Sequence, residues 1–503
     1  MVEEYQVKKS NKKTHNEEKS KNFKNPNKLN LNKVLVSIKK FICSIPLCLI
    51  LRHTIKTILI CFCFLIIICF LFLIARTKSS LSDVFTTGRV SILKNRPANI
   101  TRDIIIDMSN LYKQGGILTL TQALIADIAR KRPNWRLSVL IHKKAKRLYN
   151  FKNPNIKLIK ITRFPLTFIL EERLLKVKSF GVFNDKLVQL LYFNRIFCDR
   201  ECDLIWDPIG FSCYCNFKNI SKISTIHDIA WFDISPKFFE SNISTLGSRI
   251  CQKNAIHFSK KIITVSEFSR KRICKKFRVS KDFVKSIPIN LNNRTYSNND
   301  SEKISKIMNK YKLKSEKYFI FCSSWWRYKN HGNLIKAFNK FTQKNSDIKL
   351  ILVGDHYGVY QSRPIEEFSS DRVIITGFVP DEELGILLKN ALAFIHPSVY
   401  EGFGMPIIEA MTNGIPVACS NVASLPEVAG SAALFFNPFD VDSITRVMHR
   451  LADNPQLRKN LIKKGYEQAK KYSDRDAMVD EYIRVMEEVM RENDLKKSRK
   501  RTS

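Results

Sequence analysis

The most constraining feature of this sequence is an alternation of strand-like and helix-like segments that occurs twice, on either side of a polar stretch. Apolar runs such as Asp103–Met108 and Lys349–Gly354 are typical of strands buried on both faces, and amphipathic segments separate them. This alternation predicts parallel sheets covered by helices, which is the α/β class. Because 503 residues are too many for one core, we expect two Rossmann-like domains that face a cleft.

The polar stretch also sets the domain boundaries. We assign residues 101–290 to the first Rossmann-like domain, residues 291–315 to a linker, and residues 316–475 to the second domain. Ligands of doubly wound sheets bind beyond the carboxyl ends of the strands, so the site is expected between the two domains. The remaining segments are a basic arm (1–56), a transmembrane helix (57–75), a stem (76–100), and a C-terminal helix with a basic tail (476–503).

The predicted transmembrane helix, Thr57–Ala75, contains 19 residues without a charge. As a helix it would span about 28 Å, close to the hydrocarbon thickness of a bilayer. We therefore expect a single-pass membrane protein. The basic arm favours a cytoplasmic N-terminus, but the charges nearest the helix are almost balanced, so the side that holds the two domains stays open.

Charge and cysteine content limit the function classes. The net charge of +39 is spread along the chain, and no zinc-finger, basic-zipper or RNP-type segment accompanies it. We expect no nucleic-acid partner and attribute most of the charge to a Lys-rich coding bias. The 13 cysteines form an odd total without paired histidines at ligand spacing, which indicates free thiols rather than metal ligands or a full disulfide framework.

The densest candidate site is a glycine turn that leads into a helix. Gly402 and Gly404 would let the backbone approach a ligand closely, and Pro406 suits a first helical turn. The amides of Phe403–Ile407 would then face the cleft, and such a helix N-terminus suits a diphosphate.

Two carboxylates flank this turn. Glu401 precedes the glycines and Glu409 lies about one turn inside the helix, and both could accept hydrogen bonds from sugar hydroxyls. The same residues are also compatible with an ordinary turn into a helix that carries two solvated glutamates. The residues alone leave both interpretations open.

The stretch His396–Ser420 resembles the Glu-(seven residues)-Glu signature of the family-4 retaining glycosyltransferases, which have the GT-B fold. The segments Gly377–Ser398 and Asn421–Asp440 resemble those that precede and follow the signature in that family. The resemblance covers most of residues 316–475 and extends more loosely over residues 103–290. It implies the GT-B fold and a nucleotide-sugar donor.

The resemblance also implies residue roles. Glu409 would bind the ribose hydroxyls of the donor, and Glu401 would contact the transferred sugar near its reacting carbon. Phe378 and Val379 would hold the base through main-chain contacts. The further donor-binding residues are Gly116, Gly402, Phe403, Gly404 and Met405.

The segment Ser323–Leu334 resembles the basic loop of the family, where Lys329 takes the place of the lysine that neutralises the leaving diphosphate. Negative charge grows on the β-phosphate as the glycosidic bond breaks, and a fixed cation stabilises it. With no Asp-x-Asp in this region, we expect neither a metal nor another cofactor. Many relatives carry an arginine several residues earlier, where Ser323 or Ser324 stands, and Arg327 is an uncertain substitute.

The first domain carries weaker signals. His227 and Asp228 follow a predicted strand and resemble the His-Asp element of the family, whose histidine approaches the donor sugar and phosphate. Gly116 lies in a segment that resembles the glycine loop of the family. Ser266 resembles the entry to the last helix of the first domain, but it is equally a candidate N-cap, with Ser269 as the alternative cap.

Together these features predict a membrane-anchored retaining glycosyltransferase with His227, Glu401 and Lys329 as catalytic residues. It would transfer a hexose from a nucleoside-diphosphate donor to a glycan, lipid-linked or protein acceptor. The sugar and base stay open. The alternatives are a GT-B relative with other nucleotide-sugar chemistry, such as an epimerase, and a catalytically silent membrane-tethered scaffold.

Overall fold

The computed structural model describes residues 98–161 except 110, 112–114, 143–144 and 146–147; 202–211; 220–290 except 240–241; 300–354 except 316 and 345–346; and 371–502. The predicted basic arm and transmembrane helix, and most of the stem, lie outside these residues. Within the described ranges, no helix has the length and apolar character needed to cross a bilayer.

The first domain is built on a parallel sheet of mostly buried strands, with helices packed against it. Its strands are β1 (Arg102–Asp107), β2 (Trp135–His142), β3 (Ile156–Ile161), β4 (Leu204–Asp207), β5 (Ser221–Thr225), β6 (Lys261–Thr264) and β7 (Val284–Ser286). Their order in the sheet is β3-β2-β1-β4-β5-β6-β7. The helices are α1 (Gly116–Lys131), α2 (Ala230–Asp233), α3 (Asn242–Phe258) and α4 (Glu267–Phe277).

Two local features of this domain bear on the sequence analysis. Strand β3 was not expected, because its Ile-Lys alternation lacks the continuous apolar run of a central strand; it occupies the sheet edge, where one face meets water. The Ser266 cap is confirmed, since its hydroxyl accepts a hydrogen bond from the Ser269 amide at the start of α4.

The second domain has the same architecture. Its helices are α5 (Ser301–Lys310), α6 (His331–Phe341), α7 (Asp381–Lys389), α8 (Met405–Thr412), α9 (Leu425–Ala429), α10 (Val441–Asp453) and α11 (Pro455–Lys470). Its strands are β8 (Tyr318–Cys322), β9 (Lys349–Val353), β10 (Val373–Gly377), β11 (Ala393–His396), β12 (Val417–Ser420) and β13 (Ala433–Phe436). They form a parallel sheet in the order β10-β9-β8-β11-β12-β13.

Helix α5 corrects the predicted linker. The Asp300 carboxylate caps it by accepting the amides of Glu302 and Lys303. Ile307 and Met308 then bury their side chains in the core of the second domain. The polar composition of residues 291–315 concealed this amphipathic helix, so ordered structure of the second domain begins before residue 316.

The C-terminal segment is also more ordered than expected. A single helix, α12 (Arg475–Thr502), continues through the residues that were predicted to be a basic tail. Its apolar residues recur every three or four positions and join the core of the first domain. The buried residues that mark this stripe are Val479, Ile483, Met486 and Met490. The chain therefore returns to its first domain after completing the second.

The sheet topology places the site. The order of strands along the chain reverses between β1 and β4 in the first sheet and between β8 and β11 in the second. At such a reversal the loops after adjacent strands diverge and leave a crevice at their carboxyl ends. Both sheets belong to one compact unit, residues 92–503, so contacts between the two domains are part of the fold.

Candidate active site

The loops after β8 and β11 bring an ion pair to the crevice of the second domain. Lys329 ends a 3₁₀ turn, and Asn330 follows with a φ of 65°. The Asn330 side-chain amide donates to the carbonyls of Pro397 (3.0 Å) and Pro438 (2.8 Å), which fixes the loop. As a result Lys329 Nζ lies 2.6 Å from Glu401 Oε1.

This ion pair is mostly withdrawn from solvent, with 15% of the Lys329 side chain and 12% of the Glu401 side chain exposed. Burial alone would raise the pKa of the Glu401 carboxyl, but the Lys329 ammonium and the hydrogen bond to His396 together outweigh burial and hold that pKa well below its ordinary value. Burial likewise opposes the charge on Lys329, and Glu401 raises the pKa of the ammonium above its ordinary value. Both groups are therefore charged at neutral pH.

His396, the last residue of β11, is a third member of this cluster. Its Nε2 lies 3.0 Å from Glu401 Oε1 and 3.2 Å from Ser398 Oγ. The residue is 1% exposed, and burial lowers the pKa of its ring despite the nearby carboxylate. No motif in the sequence singles out His396; the available signal was its position at the carboxyl end of a buried strand.

The start of α8 faces the same crevice. Gly404 has a φ of 105°, and a Cβ there would lie 2.8 Å from Leu425 Cδ2, so glycine is required. Within the described chain, no protein group accepts a hydrogen bond from the amides of Phe403, Gly404 or Met405. The expectation for Ile407 was wrong, because its amide donates to the Gly404 carbonyl at 3.0 Å.

The first domain approaches this loop through its backbone. A Cβ on Gly402 would lie 2.3 Å from the His227 carbonyl oxygen, so only glycine permits the observed contact. The Ser266 hydroxyl, besides capping α4, donates to the Gly402 carbonyl at 2.7 Å. Gly116 lies at the other end of the loop, where an added Cβ would be 2.7 Å from Met405 Cε. The predicted residues Gly116, His227 and Ser266 of the first domain thus lie against the glycine loop of the second.

His227 and Asp228 line this junction. Burial lowers the pKa of His227, so the ring is neutral, and its Nε2 lies 3.1 Å from the Pro208 carbonyl, to which it can donate. Asp228 accepts the Ala230 amide at 2.9 Å. Burial raises the pKa of its carboxyl, and the negative charge of Glu401 adds to that shift.

Other predicted residues lie further from the ion pair. Arg327 Nη1 donates to the Lys237 carbonyl of the first domain at 3.1 Å. Phe378 follows β10 and is 61% exposed, whereas the adjacent Val379 is buried. Glu409 lies half-buried on α8, where its charge adds to burial in raising the pKa of the Cys322 thiol at the end of β8.

Two polar contacts across the domains were not expected from the sequence. The Tyr400 hydroxyl donates to Asp233 Oδ2 at 2.8 Å, and the Arg272 guanidinium contacts both oxygens of the same carboxylate. The Glu427 carboxylate of the second domain accepts the amides of Glu267 and Phe268 at the start of α4, each at 2.8 Å. These contacts hold the loop around Glu401 against the first domain.

The arrangement combines a cation, free backbone amides at a helix start and a fixed carboxylate. The first two suit an anion such as a diphosphate, and the third suits a hydroxyl donor. Among the residues that the structure describes, no group of three His, Cys, Asp or Glu side chains is placed to hold a metal ion.

Comparisons with known proteins agree with this chemistry. Residues 303–468 match the family described as glycosyl transferases group 1. The chain is 29% identical over 255 residues to O-antigen chain mannosyltransferase B of Escherichia coli. This match covers 50% of this chain and 66% of that protein. It is 31% identical over 228 residues to O-antigen chain mannosyltransferase RfbU of Salmonella typhimurium, and this match covers 44% of this chain and 57% of that protein. The matches thus cover less than two thirds of these relatives.

Solved structures share the two-domain fold. Sucrose-phosphate synthase from Thermosynechococcus elongatus superposes with a TM-score of 0.58 at 17% identity, covering 77% of this chain and 99% of that one. HepE of Anabaena, solved in complex with UDP and glucose, superposes with a TM-score of 0.56 at 19% identity, covering 77% and 100%. The described chain therefore has a GT-B-like fold, and its residues 303–468 match the family of group 1 glycosyltransferases.

Proposed function

We propose that this protein transfers a sugar from a nucleoside-diphosphate donor to an acceptor hydroxyl, with mannose as the first candidate. The observation that carries the proposal is the Lys329–Glu401 pair beside the free amides that open α8. Lys329 and the amides suit the diphosphate, and the Glu401 carboxylate suits a sugar hydroxyl. Two mannosyltransferase relatives support the choice of sugar, while HepE, whose structure holds UDP and glucose, makes UDP-glucose the second donor to test.

In the proposed mechanism the donor diphosphate lies between Lys329 and the amides of Phe403–Met405. As the bond from the sugar carbon to the diphosphate oxygen breaks, negative charge develops where these donors are already fixed. The acceptor hydroxyl forms the new bond from the same face, and its proton passes to the departing diphosphate oxygen. Retention of configuration is part of the proposal, and NMR of the product anomer tests it.

We further propose that the second glutamate, Glu409, binds the ribose of the donor and that Phe378 and Val379 border the base. The half-buried position of Glu409 on α8 and the location of Phe378 after β10 support this, since both lie at the carboxyl edge of the sheet. We also propose that transfer needs no metal, because a fixed lysine supplies the positive charge. Undiminished turnover in EDTA would agree, and loss restored by Mg²⁺ or Mn²⁺ would contradict it.

Residues 57–75, which lie outside the described residues, are proposed to anchor the protein in a membrane, where the acceptor would be a lipid-linked or glycoprotein glycan. The uncharged length of this segment supports the anchor. Resistance of the full chain to carbonate extraction, lost when residues 57–75 are deleted, tests it. Extraction of the full chain with peripheral proteins would contradict it.

The function itself is tested by incubating the protein with GDP-mannose or UDP-glucose and measuring nucleoside-diphosphate release with and without membrane glycolipid extracts. Acceptor-dependent release, with the labelled sugar recovered in the glycolipid, agrees with transfer. Conversion of the sugar in the absence of acceptor would instead favour the epimerase-like alternative. Absence of nucleotide binding by calorimetry would favour the silent scaffold.

A further inference from the structure

We propose that His396 is a positioning residue that holds the Glu401 carboxylate in place when Lys329 leaves it for the donor diphosphate. The inference rests on the proposed function, because it concerns the same donor site. In the structure Glu401 Oε1 contacts both Lys329 Nζ, at 2.6 Å, and His396 Nε2, at 3.0 Å. The carboxylate and the donor phosphates therefore compete for one lysine.

The protonation state of His396 follows from its surroundings. A carboxylate accepts hydrogen bonds only, so Nε2 must carry the proton that lies between it and Glu401. Its Nδ1 is buried and has no hydrogen-bond partner in the described chain. The ring packs against Phe394 and Phe321, with centroids 5.8 Å and 5.5 Å away. The histidine is thus held rigidly in an orientation whose main polar contact is Glu401.

This rigidity matters when the donor binds. A buried carboxylate that loses its partner is strongly destabilised, which would favour the Lys329–Glu401 pair over binding of the diphosphate. A neutral donor that keeps its hydrogen bond reduces that cost, because it stabilises the charge on Glu401 without competing for the phosphates. His396 thereby frees Lys329 and keeps Glu401 pointed at the transferred sugar.

His331 provides a matched comparison in the same part of the domain. It is 1% exposed and stacks on Trp325 at 4.2 Å, as buried as His396. Neither of its ring nitrogens has a hydrogen-bond partner in the described chain, so it makes no hydrogen bond to Glu401. Replacing it alters a buried histidine nearby without altering the support of the carboxylate.

The test measures the affinity of GDP and UDP for the full chain by titration calorimetry, with melting curves as a check on folding. Relative to the parent, His396→Leu should bind the preferred nucleotide about 10-fold more weakly. His396→Gln keeps a side-chain N–H donor and should bind within about threefold. Adding Glu401→Gln to His396→Leu should restore affinity, because a neutral amide needs no counter-charge. His331→Leu should match the parent.

Equal affinity of His396→Leu and the parent would overturn the inference. So would a His396→Leu defect that Glu401→Gln leaves unchanged, since the loss would then be general damage to the domain. A parent protein that binds neither GDP nor UDP removes the proposed function and this inference with it. Failure of the inference alone leaves parental nucleotide binding intact, so the two failures are distinguishable.

Discussion

The first domain reaches the site mainly through its backbone, whereas the second domain brings the charged side chains. The His227 carbonyl and Gly116 lie against the loop of the second domain, while Lys329, Glu401 and the free amides belong to the second domain itself. The two sheets nevertheless share one strand order, to which the first adds β7 at its edge. Two domains of the same fold therefore contribute differently: the second supplies the charged groups of the site, and the first supplies backbone that packs against them.

Removing the charge from the second domain should have the largest effect. Lys329→Met should lower kcat for sugar transfer about 10³-fold, because a fixed donor to the developing negative charge is lost. Lys340→Met is the control, since that lysine lies exposed on α6. A Lys329→Met enzyme with more than a tenth of parental kcat would mean that the charge of the second domain does not drive the transfer.

Forcing the two domains apart should have the next largest effect. A Cβ at Gly402 would overlap the His227 carbonyl, so Gly402→Ala should displace the loop and lower kcat/KM about 100-fold. Gly332→Ala serves as the control, because a Cβ there meets no atom within 4 Å. Parental kcat/KM in Gly402→Ala, measured on a protein with an unchanged melting curve, would show that the backbone contact is unimportant.

The capping contact between the domains should matter less. Glu427→Ala leaves the amides of Glu267 and Phe268 without their carboxylate, a loss of about 1 kcal/mol, so kcat/KM should fall about fivefold. Glu467→Ala removes an exposed carboxylate of α11 and should change nothing. Identical steady-state kinetics for the two variants would mean that this contact between the domains does not support catalysis.

Arg327 should contribute least. Its guanidinium contacts the Lys237 carbonyl at an exposed position instead of joining Lys329 and Glu401. Arg327→Ala is therefore expected to change kcat by less than threefold. A loss comparable to that of Lys329→Met would mean that Arg327 turns into the site when the donor binds and takes the place of the arginine found in relatives.

The sequence predicts the central strands and the signature well, because buried parallel strands and a glycine turn into a helix have local patterns. It misses β3 because a half-exposed edge strand alternates Ile with Lys, and α5 because polar residues hide its apolar stripe. The tail was misjudged for a related reason, since α12 is stabilised by the first domain and not by its own composition.

The residues of the site could be predicted from motifs, but their contacts could not. Glu401 and Lys329 follow from motifs, but their contact joins residues 72 positions apart. Glu427 caps a helix that begins about 160 positions earlier, and Asp233 meets Tyr400 across 167. No local pattern marks such partners. The Lys329–Glu401 contact forms only when β8 and β11 pair in one sheet, and the other two contacts form only when the two domains meet. His396 was visible in the signature, but its role depends on the side chains around it.

The decisive experiment is a structure of the protein crystallised with GDP or UDP. We expect the diphosphate within hydrogen-bond distance of Lys329 Nζ and the amides of Phe403, Gly404 and Met405, with Glu401 still hydrogen-bonded to His396. A nucleotide bound elsewhere, with the Lys329–Glu401 ion pair intact, would contradict it.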